Sequence, residues 1–167
     1  MINGDLQQPA RRPQQTTPDV REPAVLGRID ISAEVEQVKT ARRWLRGLLG
    51  EDHPAAFWVE LLGCELVTNA VLHSDSARPD EDGRPGTVSI AAWSIGKGIR
   101  VEVTDAGSTC RAPVPVDAGV HATSGRGLAM LHDLTDGRCG TWSDAKGRTV
   151  WFLLDTDSTA LADGDGS

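Results

Sequence analysis

From Phe57 to His73 the chain runs with Gly63 as its one helix-weakening residue and with apolar side chains on nearly every side. Trp58, Val59, Leu61, Leu62, Leu66, Val67, Val71 and Leu72 project around most of a helical wheel, so the stretch reads as a helix buried on several sides. A second pattern runs through it: Glu65, Asn69 and His73 recur at a spacing of four and stack along one stripe. A carboxylate and a carboxamide are costly to bury without partners. Something polar is therefore expected to meet that stripe, and the remaining chain has to supply or bind it.

A chain of 167 residues, 39% apolar and with five tryptophans, is long enough for one domain with a real core. It shows no apolar run of membrane length and no charged-then-apolar leader at Met1, so neither a membrane span nor export is expected. Cys64, Cys110 and Cys139 are odd in number and form no CxxC pair. That argues against a disulfide framework and a zinc site, and fits a reducing cytoplasm. The net charge of -7 disfavours non-specific nucleic-acid binding. A nucleotide held by backbone amides and a metal ion stays compatible with it.

Residues 1–24 carry Pro9, Pro13, Pro18 and Pro23 among Gln, Arg and Thr and read as a disordered arm. The domain is expected over 25–155, followed by a flexible acidic tail over 156–167. Val25 to Ile31 reads as a strand, with Ser32 as N-cap of a helix whose stripe is Val35, Val38, Ala41, Leu45 and Leu48. Arg42, Arg43 and Arg46 cover the other face of that helix as a solvated surface. After the central helix and a polar loop, Thr87–Trp93 and Ile99–Thr104 alternate as a hairpin around Gly96-Lys97-Gly98. The second strand runs into Asp105-Ala106-Gly107. Residues 108–124 have no convincing period, and a segment of that kind inside a domain is usually functional or mobile. Ser124-Gly125-Arg126-Gly127 opens a short helix with Leu128, Met130, Leu131 and Leu134, and Cys139–Trp142 with Arg148–Leu154 form a last hairpin. Cys64 and the tryptophans are expected in the core.

Helix with Glu65 and Asn69, strand ending in Asp105-Ala106-Gly107, irregular loop, then Gly125-Arg126-Gly127 before a helix: that ordered set resembles the GHKL (Bergerat-type) ATP-binding superfamily of gyrase, Hsp90, histidine kinases and MutL. The string Glu65-Leu66-Val67-Thr68-Asn69-Ala70-Val71-Leu72-His73 looks like its N box, and the two Gly-containing segments look like its glycine boxes. The short length is most similar to anti-sigma-factor serine/threonine kinases of the RsbW and SpoIIAB type. The resemblance implies an α/β (α+β) two-layer sandwich, a mixed, mostly antiparallel sheet with helices on one face, and ATP under the loop 108–124. It implies Asn69 as the Mg²⁺ ligand and Glu65 as the catalytic base at the γ-phosphate. Asp105 would accept a hydrogen bond from the adenine amino group and Gly107 would let the backbone approach the base. Gly125, Arg126 and Gly127 would hold the phosphates at a helix N-terminus. Taken one at a time, each motif also fits an ordinary turn or a satisfied polar pair.

The implied function is an ATP-binding regulatory protein serine/threonine kinase phosphorylating a STAS-type antagonist, with a sigma factor as a further partner, a homodimer as the suggested state, and neither direct nucleic-acid nor membrane binding. Two departures bear on it. Ser108 follows Gly107 where the family has a second glycine further on, and Thr123 stands where an Arg is expected. Both touch lid and phosphates rather than the adenine pocket, so the alternative is a non-catalytic or weakly catalytic ATP-binding anti-sigma or signalling module.

Overall fold

Val88, Ile90 and Ala92 alternate with Ser89, Ala91 and Trp93, and the buried members of that alternation face two helices. The same period holds on the next strand, where Ile99, Val101 and Val103 are buried. The computed structural model describes residues 22–107 and 127–157. In chain order these form β1 (Ala24–Ser32), α1 (Val38–Leu49), α2 (Ala56–His73), β2 (Thr87–Ile95), β3 (Gly98–Asp105), α3 (Gly127–Leu134), β4 (Cys139–Asp144) and β5 (Gly147–Asp155). One five-stranded sheet has the order β1-β2-β3-β5-β4, and its four pairings are antiparallel. The expected α+β sandwich is therefore present. The expected arm and tail lie mostly outside the described residues. Among the described residues no helix is long and apolar enough to cross a membrane.

The core lies between the sheet and α1 and α2. Ala41, Leu45, Val59, Leu62 and Val67 meet Val88, Ile90, Val101, Phe152 and Leu154 there, each at 0% exposure. Burial of the valine, leucine, isoleucine and phenylalanine side chains among these contributes about 1.5–3 kcal/mol each. Close packing of α1 on α2 depends on Gly63, where an added Cβ would lie 2.7 Å from Leu45 Cδ1 and 3.0 Å from Cδ2. Gly47, on α1, has nothing within 4 Å of the same position. Both sit in helices, so Ala gains about 1 kcal/mol of propensity at either. Overpacking at Gly63 costs about 1–3 kcal/mol. Gly47→Ala is thus expected to raise the denaturant midpoint and Gly63→Ala to lower it; equal shifts would contradict the tight contact.

Three local expectations are corrected. Ser32 does not cap α1, because it remains in the ladder opposite Thr87, and a 3-10 turn over Val35–Gln37 precedes the helix. Gly98 belongs to β3, so the hairpin turn is Gly96-Lys97. The tryptophans divide: Trp44 and Trp58 pack against the core, whereas Trp93, Trp142 and Trp151 lie on the sheet face away from the helices. There Arg100 stacks 4.2 Å from the Trp151 ring centroid and 5.7 Å from that of Trp142. A cation on an aromatic face is stabilised even in contact with water.

Candidate functional site

β3 carries its alternation one residue past the apolar core, and the residue that takes the next helix-facing position is Asp105. Its side chain is 1% exposed. An ionised carboxylate at that depth needs partners, and it has two. Oδ1 accepts the Gly107 amide at 2.6 Å and Oδ2 accepts Arg148 Nη2 at 3.1 Å. The first bond closes a turn in which Gly107 adopts φ 75°. The second crosses the sheet, since Asp105 and Arg148 are register partners on β3 and β5 and so share a face.

The end of α2 holds this turn in place. Asp75 donates its amide to the Gly107 carbonyl at 2.7 Å, and Ser76 Oγ accepts the Ala106 amide at 2.8 Å. Ser74 anchors the segment by donating to the Ala70 carbonyl at 2.6 Å and accepting the Ser76 amide at 3.2 Å. Ser76 Oγ also donates to the Thr87 carbonyl at 3.3 Å. Four buried or half-buried polar groups thus tie the helix bearing Glu65 and Asn69 to the strand bearing Asp105. Bonds of this kind each contribute about 0.5–1.5 kcal/mol net, and leaving any of the groups unpaired costs more.

On α2 itself Glu65 and Asn69 are half-buried, and His73 is exposed at the last helical position. Glu65 borders a groove of about 110 Å³ between α1 and α2, shared with Arg42, Phe57, Glu60, Leu61 and Cys64. Arg46 donates to Glu60 through Nε at 2.9 Å and Nη2 at 2.8 Å, and this bonding holds the Glu60 carboxyl below its ordinary range. Burial pushes the Cys64 thiol up, against the opposing pull of Arg42. A thiol shifted that way is poorly nucleophilic, so Cys64 fits the expected core role.

Of the remaining expected residues, Gly127 opens α3, while Gly125 and Arg126 lie outside the described residues, as does the loop 108–124. The structure also brings to Asp105 residues that sequence reasoning passed over. A Cβ on Gly147 would stand 1.9 Å from the Asp105 carbonyl oxygen. One residue further along β5, Thr149 is buried on the sheet face opposite Asp105, where its hydroxyl and that of Thr104 hydrogen-bond at 2.8 Å. Arg148 and Thr149 had read only as the start of a hairpin strand, with Gly147 in the turn before it. The available signal was a Gly-x-Thr entering a strand, which means little until that strand is known to pair with the one ending in Asp105. A trough of about 580 Å³ runs along the open sheet face past Ser89, Trp93, Thr104 and Trp142, reaching Asp105 and Ala106 at one end.

No cluster of three or more His, Cys, Asp or Glu side chains suited to a metal occurs among the described residues. A Mg²⁺ ion at α2 would have to arrive with phosphates and take a single protein oxygen, which a half-buried carboxamide such as Asn69 can offer. At the strand end, a buried carboxylate stands two residues before a glycine at positive φ.

A family model described as the histidine kinase-like ATPase domain matches residues 31–153. Curated protein sequences give no match. Among solved structures, that of the RsbU and RsbW domains of Rv1364c from Mycobacterium tuberculosis is similar, with 24% identity and a TM-score of 0.54. It covers 81% of this chain, and this chain spans 32% of that one. At that identity the likeness speaks to the fold alone.

Proposed function

The chain belongs to the histidine kinase-like ATPase domain family, and from that premise we propose that it is an ATP-binding regulatory protein serine/threonine kinase of the anti-sigma-factor type. The observation that carries the nucleotide reading is the Asp105-Ala106-Gly107 turn, with its buried carboxylate held by Gly107 and clamped by the end of α2. In this reading Asp105 accepts the exocyclic amino group of adenine and Gly107 leaves room for the ring. Asn69 would hold a phosphate-borne Mg²⁺ through its carboxamide oxygen. Glu65, one turn earlier on α2, takes the proton from the attacking hydroxyl. Mg²⁺ supplies charge neutralisation at the phosphates. Gly125, Arg126 and Gly127, which precede or open α3 in the sequence, would contact the phosphates.

The phosphoacceptor is proposed to be a serine or threonine of a small STAS-type antagonist, with a sigma factor as the competing partner. A homodimer in the cytoplasm is the setting that accompanies this reading. Support comes from the N-box string on α2 and from the solved neighbour, which carries an RsbW domain beside an RsbU domain. A second reading, a nucleotide-binding module without effective transfer, is favoured by Ser108 and Thr123 at the lid and phosphate positions.

Calorimetry with Mg-ATP tests the binding part. The wild type is expected to bind in a Mg²⁺-dependent way, and Asn69→Ala to lose that dependence; a wild type that ignores ATP sinks the proposal. Glu65→Gln separates the two readings. The kinase predicts a loss of phosphotransfer by about 10²–10⁴-fold with ATP affinity within a factor of three. Unchanged regulation of the partner by Glu65→Gln would instead favour the binding module.

A further inference from the structure

Arg148 stands beside the Asp105-Ala106-Gly107 turn, across the β3–β5 ladder. Its Nη2 engages Asp105 Oδ2, one of the two acceptors of the only carboxylate in the turn. Its Nε is buried and has no hydrogen-bond partner among the described residues. Its side chain as a whole is 33% exposed, against 1% for Asp105. A guanidinium carries five N–H donors in a rigid plane, and Asp105 is the acceptor that it meets among the described side chains. The pair is fixed from both sides. The β3–β5 register sets Asp105 opposite Arg148, and Gly147 brings the two strands so close that no side chain fits between them and the Asp105 carbonyl.

An aspartate beside a partly used arginine presents an acceptor and a donor next to each other. That is the complement of an aromatic amine flanked by a ring nitrogen, which offers a donor and an acceptor next to each other. We infer that Arg148 is a specificity-determining residue of the nucleotide site: it donates a hydrogen bond to a ring nitrogen flanking the amino group that Asp105 accepts. The inference rests on the nucleotide reading above. Under it Asp105 and Arg148 act as one unit, with Arg148 also fixing which edge of the base can approach. A base lacking the amino group, or lacking the neighbouring acceptor, leaves one half of the pair unanswered, and a site built to hydrogen-bond rejects such analogues strongly.

The two ring nitrogens that flank the adenine amino group can be removed singly, which makes 1-deaza-ATP and 7-deaza-ATP the probes. Binding of ATP and both analogues would be measured by calorimetry on the wild type, Arg148→Met and Arg148→Lys, with thermal unfolding run on each to establish folding. The wild type is expected to bind one of the analogues about tenfold more weakly than ATP, in keeping with a hydrogen bond to a charged donor. Arg148→Met is expected to bind ATP and that analogue equally. Arg148→Lys, which keeps charge but not the planar fork, should retain part of the difference. Should Arg148→Met not fold, the wild-type and Lys arms still decide. Equal binding of ATP and both analogues by the wild type overturns the role of Arg148 while leaving the nucleotide site standing. A preference that persists undiminished in Arg148→Met overturns it too. If ATP itself does not bind, the nucleotide reading falls and this inference falls with it.

Discussion

Asp105→Asn is expected to weaken Mg-ATP binding by about two orders of magnitude, a loss of about 3 kcal/mol. The variant keeps the shape of the side chain and keeps an acceptor for the Gly107 amide, which lies 2.6 Å from Oδ1 in the wild type. What changes is the other oxygen. It becomes an amide nitrogen that donates toward Arg148 Nη2, at 3.1 Å in the wild type, and toward the amino group of the base. Donor meets donor on both sides, so the ligand loses a charge-assisted bond and meets a repulsive one. Stability should also fall, by about 1–3 kcal/mol, because Arg148 is left with an unanswered positive charge beside a group that is 1% exposed. Calorimetry and denaturant unfolding on the same samples separate the two effects. Wild-type affinity in a destabilised Asp105→Asn protein would make the carboxylate a purely structural group and remove the observation on which the proposed nucleotide site rests.

How much of this was legible in the chain depends on how local the determining interaction is. The central helix was readable nearly to the residue, Phe57–His73 against Ala56–His73, because apolar residues on all sides and the absence of proline leave few alternatives. Strands β2 and β3 were readable for the same reason, as a period of two between glycine-containing turns. Ser32 misled because a good capping residue was already committed to the β1–β2 ladder, a contact that its neighbours do not announce. Trp93, Trp142 and Trp151 misled because hydrophobicity does not specify which sheet face receives the helices. At the site, Asp105 and Gly107 stood out by their place at a strand end. Arg148 did not, because its significance is created by a pairing between strands whose members are 43 residues apart. The clamp from Ser76 to Ala106 spans 30 residues and was invisible for the same reason.

The pairing that hid Arg148 also yields the largest structural prediction. Gly147→Ala is expected to destabilise the domain by about 2–4 kcal/mol, more than the alanine at Gly63. At Gly63 the obstacle is the end of a leucine side chain, which can rotate or shift. At Gly147 the obstacle is backbone: the new Cβ would lie 1.9 Å from the Asp105 carbonyl oxygen, 2.9 Å from its carbon and 3.1 Å from Ala106 Cα. Gly147 also has φ 133°, which alanine adopts only with strain. Overpacking of about 1–3 kcal/mol and backbone strain of about 1–3 kcal/mol therefore act together, partly relieved by movement of the strand ends. The direction of that relief matters for function. Relief by separation of β5 from β3 would open the Asp105–Arg148 pair, so the surviving folded protein is expected to bind ATP more weakly, without any change in a residue that touches the ligand. Denaturant unfolding reads the first effect and calorimetry on the folded fraction reads the second. A Gly147→Ala protein as stable as the wild type would mean that the strands do not approach as closely as this structure has them. A destabilised one with unchanged ATP affinity would detach the β3–β5 junction from the nucleotide site.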